Sequence, residues 1–355
     1  MANPRTIVLR HGWNATVYRA LDSDMEHWVS RTGDALVGFT RHAATRVVAG
    51  APVAALDRLA DVASEFEADA HRLGERVCYV CAEERLLHSA PGRYAAVRIG
   101  AQPLWRADRW AAVFDADPAL RAQRNRARNK GVSVEQLHCS HVVSHPGIAA
   151  CRASWLASKP MRPLSFLAYT DLARAPSSAL RDRRLFVAQR EGCVDAYLVA
   201  SPIPGRGGWL VEQVVRRPTA VNGTVELLVD AAVRALAADG ASLVTLGLAP
   251  LAASGAQGDG SSDEPFTADP VLGAVLNRVR RHGSDLYDFA GLEAFKRKFR
   301  PERWENVYLL SREPRTSLRT LYAVGSAFCG GRPARTVLGA RPVAALLAGL
   351  FSAKA

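Results

Sequence analysis

The chain has 355 residues, 48% of them hydrophobic and 23% charged, with a formal net charge of +12. That balance excludes wholesale disorder and is long enough for two domains of ordinary size. The positive charge, carried mostly by arginine, favours anionic partners: RNA, DNA, acidic lipid headgroups or phosphorylated ligands.

The opening "MANPRTIVLRHGWN" lacks the apolar core of a secretory signal. No apolar run approaches the roughly 20 residues that span a bilayer, so a cytoplasmic protein is expected. Residues 17–50 read as a helix followed by a two-stranded unit, and 55–74 place Leu56, Leu59, Val62, Phe66 and Ala70 at helical spacing. "RVCYVCAEE" reads as a strand that points Cys78 and Cys81 to opposite faces. No second cysteine pair has zinc-ligand spacing, so these two read as buried free thiols in a reducing compartment.

"LRAQRNRARNKG", residues 120–131, carries five basic side chains and no acid. On a helix Arg121, Arg124 and Arg128 share one side, Arg126 and Lys130 another, and only Leu120 and Ala127 offer much to a core. The stretch closes a first unit over 1–135. Its place at the join of two units favours a phosphate-contacting role, assigned to Arg124 and Arg128, over a solvated face.

A second unit, 136–311, begins with a strand and a helix over 147–158, then a strand pair, 184–203 and 207–217, joined by "PGRGG". "GTVELLVDAAVRALAADG" is an amphipathic helix with Val225, Leu228, Val229, Ala232 and Leu236 on one stripe. "SLVTLGLAPLA" reads as a strand buried on both faces. A Gly-, Ser- and Asp-rich loop over 253–270 and a helix over 271–283 follow. The tail, 312–355, holds seven basic residues against Glu313 and a short apolar end, a candidate surface-binding arm.

Three stretches could carry chemistry. In "VEQVVRRPTAVNGTVELLV", Asn222 can cap the following helix, whose free N–H groups with Arg216 and Arg217 form a candidate anion site. The plainer alternative is an ordinary capped helix after a surface loop. "LYDFAGLEAFKRKFRPERWENVYLL" alternates aromatics with Lys296, Arg297, Lys298, Arg300 and Arg303, suited to stacking on bases and contacting phosphates, or simply a solvated basic face. "LHCSHVVSHP" gathers His138, Cys139, His141 and His145, but strand geometry separates the first two histidines, which argues against a metal site.

The order strand, strand, polar turn, helix, buried strand fits the acetyltransferase-like α/β fold, although periodicity alone fits other α/β arrangements as well. "RRPTAVNGTVELLV", "LVTLGLAPLA" and "YDFAGLEAFKRKFRPERWENVYL", in that order, resemble the C-terminal synthase region of the phosphatidylglycerol lysyltransferase family. "LRAQRNRARNKG" resembles the family's basic helix between its halves, and the similarity runs from about residue 15 to 330. The resemblance implies two tandem acetyltransferase-like domains, each a mixed sheet flanked by helices. It also implies transfer of an aminoacyl group from aminoacyl-tRNA to a hydroxyl, usually that of phosphatidylglycerol, without the family's transmembrane flippase.

Two positions depart from the family pattern. Gln213 stands where an acid is usual, with Glu212 expected on the opposite face of the strand; Ala290 and Glu293 stand where basic residues are common. An aminoacyl ester is already activated, so neither a metal nor a cofactor is required beyond aminoacyl-tRNA as co-substrate. The candidate residues are Arg216 and Arg217 with Asn222 and Gly223 as the anion clamp, and Lys296 and Lys298 near the reacting ester. Glu212, and more weakly Asp195, would serve as base or ammonium anchor, and Arg124, Arg128 and Arg300 as tRNA or phosphate contacts. The expected partners are aminoacyl-tRNA and an anionic lipid, with peripheral membrane contact through the tail. Competing readings are the same transfer to a soluble small molecule, an acyl-CoA-dependent N-acyltransferase, and a non-catalytic RNA- or membrane-binding protein.

Overall fold

Helical periodicity builds α2 (Leu59–Arg72), which follows the short α1 (Pro4–His11); Leu59, Val62, Phe66 and Ala70 are buried along one stripe. Leu56, expected on that stripe, lies in a preceding 3-10 turn and is 59% exposed. The computed structural model describes residues 3–159, 163–252, 267, 273, 288–313 and 317–331. The loop expected over 253–270, the helix over 271–283 and the apolar end of the tail lie outside the described residues, Thr267 and Gly273 apart.

The strands are β1 (Glu26–Val29), β2 (Leu36–His42), β3 (Thr45–Ala49), β4 (Arg76–Ala82), β5 (Ala95–Arg106) and β6 (Ser133–Leu137) in the first part of the chain. They continue as β7 (Arg184–Arg190), β8 (Cys193–Ile203), β9 (Gly208–Arg216), β10 (Leu243–Thr245), β11 (Ala249–Pro250) and β12 (Arg303–Ser311). All join one sheet in the order β1-β2-β3-β4-β12-β5-β10-β9-β8-β7-β6, with β11 paired to β5. Where one helix and two strands were expected over 17–50, a 3-10 turn at Val17–Leu21 precedes three strands. The 184–203 run is a hairpin rather than one strand, because Glu191 and Gly192 both take positive φ, as a two-residue hairpin turn demands.

The same arrangement occurs twice. An antiparallel hairpin leads into a helix and then a strand parallel to the hairpin's second arm: β2–β3, α2, β4, and later β8–β9, α5 (Thr224–Ala238), β10. Helices cover both faces. In the first half α2 packs on one face and α7 (Leu318–Phe328) on the other. In the second, α5 and the basic helix α3 (Pro118–Asn129) oppose α4 (Pro146–Ala157). The expected α/β class, mixed sheets flanked by helices in tandem, is what the chain adopts. The two repeats share one sheet, however, and β12 from the end of the second segment lies between β4 and β5 of the first.

Among the register shifts in the sheet, two redirect side chains of the cavity described below. The first falls at Cys81, which has φ +60 and is skipped in the β4–β12 register. Cys78 and Cys81, expected on opposite faces, therefore pack in the same apolar cluster. The second falls at Glu212, skipped between Val199↔Gln213 and Ala200↔Val211.

Candidate functional site

The parallel strands β9 and β10 pair only over three residues, Gly208–Leu210 with Leu243–Thr245. Beyond them Gly247, at φ +71, turns the chain away, so among the described residues the rest of β9 has no parallel neighbour. "SLVTLGLAPLA" is accordingly not one long buried strand but β10, this turn and β11. The strands' parting opens a cavity of about 820 Å³, within the size range of small-ligand sites. Its walls come from Val211–Val214 and Arg216 of β9, Leu246–Leu248, and Leu292, Phe295 and Lys296 of α6 (Phe289–Lys298). The floor comes from the first half: Thr16, Arg19, Cys81, Glu83 and Gln102. Trp155, Leu164, Leu167, Tyr169, Val324 and Phe328 form a mostly apolar, aromatic end, where Ser158 and Lys159 also line the cavity and the Lys159 ammonium sits over the Trp155 ring.

Lys296 is the cavity's most unusual group. It is 5% exposed, and its Nζ donates to the carbonyls of Gly247 at 2.7 Å and Leu248 at 2.6 Å. No carboxylate among the described residues pairs with it, and burial lowers its pKa to about 7. A neutral amine matches the site: two N–H bonds serve the two carbonyls and the lone pair stays available. Sequence spacing held the signal, since Leu292, Phe295, Lys296 and Phe299 share one helical stripe.

Glu212 also borders the cavity, but its carboxylate is clasped by the fully buried Arg183, Nε at 2.8 Å and Nη2 at 3.1 Å. Burial alone would raise its pKa; the Arg183 charge and hydrogen bonds outweigh that and hold it below the usual carboxylate value. Arg183 also reaches Asp22 at 3.1 Å, which in turn pairs with Arg19. Glu212 is thus a charged structural wall, not a free base. The bulge explains why Gln213 lines the cavity beside it instead of facing away. The Gln213 amide donates to the Thr170 carbonyl. Glu83, absent from the sequence-derived candidates, lies buried in the floor, accepting from the Ala15 amide at 2.8 Å and Gln102 at 3.0 Å. Burial pushes its carboxyl pKa up, against the pull of Arg206 at 3.3 Å.

The remaining candidates separate. Arg216 sits at the cavity mouth with Pro218 and Val225, so the N-terminus of α5 opens there. Arg217 turns away, its amide donating to the Asp195 carbonyl at 2.9 Å; the buried Asp195 carboxylate faces Arg190 at 3.4 Å, and neither lines the cavity. Asn222 does not cap α5. Gly223 does, at φ +95, and a Cβ there would lie 2.0 Å from the Gln123 carbonyl of α3. That contact seats the basic helix against α5. Lys298 pairs with Glu226 and rests over the Phe295 and Phe299 rings, outside the cavity.

Helix α3 is N-capped by Asp117 and buries Leu120 and Ala127. Arg124 belongs to that inner stripe, one turn from Leu120, and pairs with Asp115 at 2.6 Å and Asp230 at 3.0 Å. It holds α3 to α5 and is not a surface contact. Arg121, Arg126, Arg128 and Lys130 face outward, while Arg300 pairs with Asp117 at 3.0 Å. The histidines have local roles: His138 bonds Ser140 at 2.7 Å, and His145 caps α4 by accepting from the Gly147 amide at 3.1 Å. Among the described residues no cluster of three or more His, Cys, Asp or Glu side chains could hold a metal ion. No helix among them is long and apolar enough to cross a membrane.

A family model described as phosphatidylglycerol lysyltransferase, C-terminal, matches residues 5–311. The chain is 26% identical over 325 residues to the phosphatidylglycerol lysyltransferase of Bacillus subtilis (strain 168), covering 88% of this chain and 35% of that protein. Its fold is similar to that of L-PGS from Bacillus licheniformis, with TM-score 0.72, 22% identity, and 93% and 96% of the two chains covered. It is also similar to a C-terminal domain (DUF2156) from Agrobacterium fabrum, with TM-score 0.73, 20% identity, and 92% and 96% covered.

Proposed function

This chain belongs to the phosphatidylglycerol lysyltransferase C-terminal family, and on that premise we propose that it transfers an aminoacyl group from aminoacyl-tRNA to the hydroxyl of an anionic phospholipid such as phosphatidylglycerol. The observation that carries this reading is Lys296, a buried lysine whose Nζ rests on the Gly247 and Leu248 carbonyls and whose pKa is lowered to about 7, lining a cavity that also has a mostly apolar, aromatic end.

The donor ester lies where β9 and β10 part. Its tRNA body rests on the outward face of α3, with Arg216 and the amide end of α5 meeting the terminal phosphates. The acceptor occupies the apolar end, its hydroxyl directed to Lys296. As the hydroxyl oxygen bonds to the ester carbonyl carbon, the neutral Lys296 amine takes its proton. Main-chain N–H groups on the open edge of β9 receive the developing oxyanion. Collapse breaks the bond to the ribose oxygen, which recovers the proton from the Lys296 ammonium, so the amine is restored. The ester supplies the activation, and the step needs no metal, nucleotide or other cofactor. Such a reaction belongs at the cytoplasmic face of a membrane, where charged tRNA and lipid meet.

The test is to incubate the protein with a charged aminoacyl-tRNA pool and phosphatidylglycerol vesicles. RNase-sensitive aminoacyl-lipid is the expected product. No labelled lipid with any amino acid refutes the reading, and a labelled soluble acceptor in a metabolite extract would replace it with small-molecule transfer.

A further inference from the structure

Helix α7 begins after the last residue matched by the family model, at 311, yet it is part of the cavity. Val324 and Phe328 line the apolar end, and Ala323 and Ala327 pack beneath the sheet. The carbonyls of Ala327 and Phe328 accept from Ser165, anchoring the segment that supplies Leu164 and Leu167 to the same end.

Among the described residues no element covers the opposite face of α7. Leu318 is 51% exposed and Tyr322, one turn on, 52%. Gly325 continues the same stripe, and a Cβ added there would meet nothing within 4 Å. Arg319 flanks the stripe, exposed, with its Nε on the Ala43 carbonyl at 3.2 Å. A leucine, a tyrosine and an arginine on one outward face form the mixture that sits at a membrane interface, where rings and stems bury and charged heads stay in water. Charge points to the same occupant. From Leu318 to the end, the sequence contains Arg319, Arg332, Arg335, Arg341 and Lys354 and no acidic residue. A run of that sign is drawn to anionic headgroups.

We propose that the outer face of α7, centred on Leu318 and Tyr322, docks on the surface of an anionic bilayer. The inference rests on the reading of a lipid acceptor and adds where the lipid comes from. A helix is about 10 Å across, so a bilayer on its outer face is one helix thickness from the apolar end lined by its inner face. The acceptor then passes from the bilayer around α7 into the cavity without leaving an apolar or interfacial environment.

The experiment uses the full chain and its Leu318→Ser/Tyr322→Ser variant, co-sedimented with vesicles of phosphatidylglycerol and phosphatidylcholine or of phosphatidylcholine alone. The original chain is expected to partition onto the anionic vesicles preferentially, and the variant about tenfold less. Aminoacyl transfer to vesicle lipid should fall in step, while transfer to the same lipid dispersed in detergent stays unchanged. Equal partitioning of chain and variant overturns the proposal, as does an original chain that shows no preference for anionic vesicles. So does a dimer of the original chain that the two substitutions dissociate, since the face would then belong to a second copy. The two readings fail separately. Tight, variant-sensitive vesicle binding without any aminoacyl product supports the docking face and refutes lipid aminoacylation. Product formation with unchanged partitioning refutes the docking face alone.

Discussion

Replacing Lys296 by methionine keeps the length of the side chain and removes the charge. The fall in its pKa from 10.5 to about 7 corresponds to roughly 5 kcal/mol against holding the ammonium in place. Below about pH 7 folded and unfolded chains both carry the proton, and the folded state bears that penalty in full. Above it the folded lysine is neutral while the unfolded one stays charged to about pH 10, so the unfolded state binds more protons and stability rises with pH. Lys296→Met lacks this contribution. Its stability relative to the original chain should therefore be most favourable near pH 6 and worsen by about 2–3 kcal/mol by pH 9. The Gly247 and Leu248 carbonyls lose their donor in the variant, at about 1–3 kcal/mol each, but that offset is the same at every pH. Urea unfolding of both proteins at several pH values reads the difference directly. Transfer by the original chain should rise with pH through about 7 and be lost in the variant. A stability difference independent of pH would refute the placement of a depressed lysine here, and with it the base assigned to the reaction.

Three further outcomes follow from packing and charge. Gly223→Ala puts a Cβ at positive φ against the Gln123 carbonyl and should destabilise by roughly 2–4 kcal/mol in urea unfolding. Arg183→Met leaves Asp22 and Glu212 buried without their shared cation; a loss of about 3–5 kcal/mol is expected, with Arg183→Met/Glu212→Gln less destabilised than the sum of its single changes. Arg128→Ala should lower the salt dependence of tRNA binding by about one counterion, whereas Arg124→Ala should leave that slope unchanged and lower the melting temperature.

Much of the architecture could be read from periodicity, because helices that cover a sheet must keep an apolar stripe. Leu59, Val62, Phe66 and Ala70, and Leu120 and Ala127 in the basic helix, are buried as their spacing required. What escaped depends on partners far along the chain. Whether Arg124 faces water or Asp230 is decided 106 residues away. The bulges at Cys81 and Glu212 belong to the register with a neighbouring strand, so alternation within one strand misassigned both faces. "FKRKFR" reads as a solvated basic run, yet Lys296 falls on the stripe of Leu292, Phe295 and Phe299 and is carried inside with them. Asn222 looked like the helix cap because its type suits the role, but the close approach of α3 leaves room only for glycine at the next position.

The insertion of β12 between β4 and β5 bears on how the protein is made. The central strands of the first repeat cannot complete their hydrogen bonding until residues 303–311 have left the ribosome, some 200 positions later than their partners at 95–104. Pairings so distant in sequence close slowly, and until they do, two strand edges of the nascent chain stay open to wrong partners. Separately expressed halves, cut at the basic helix, would each inherit an exposed edge. Their recovery should depend on being produced together.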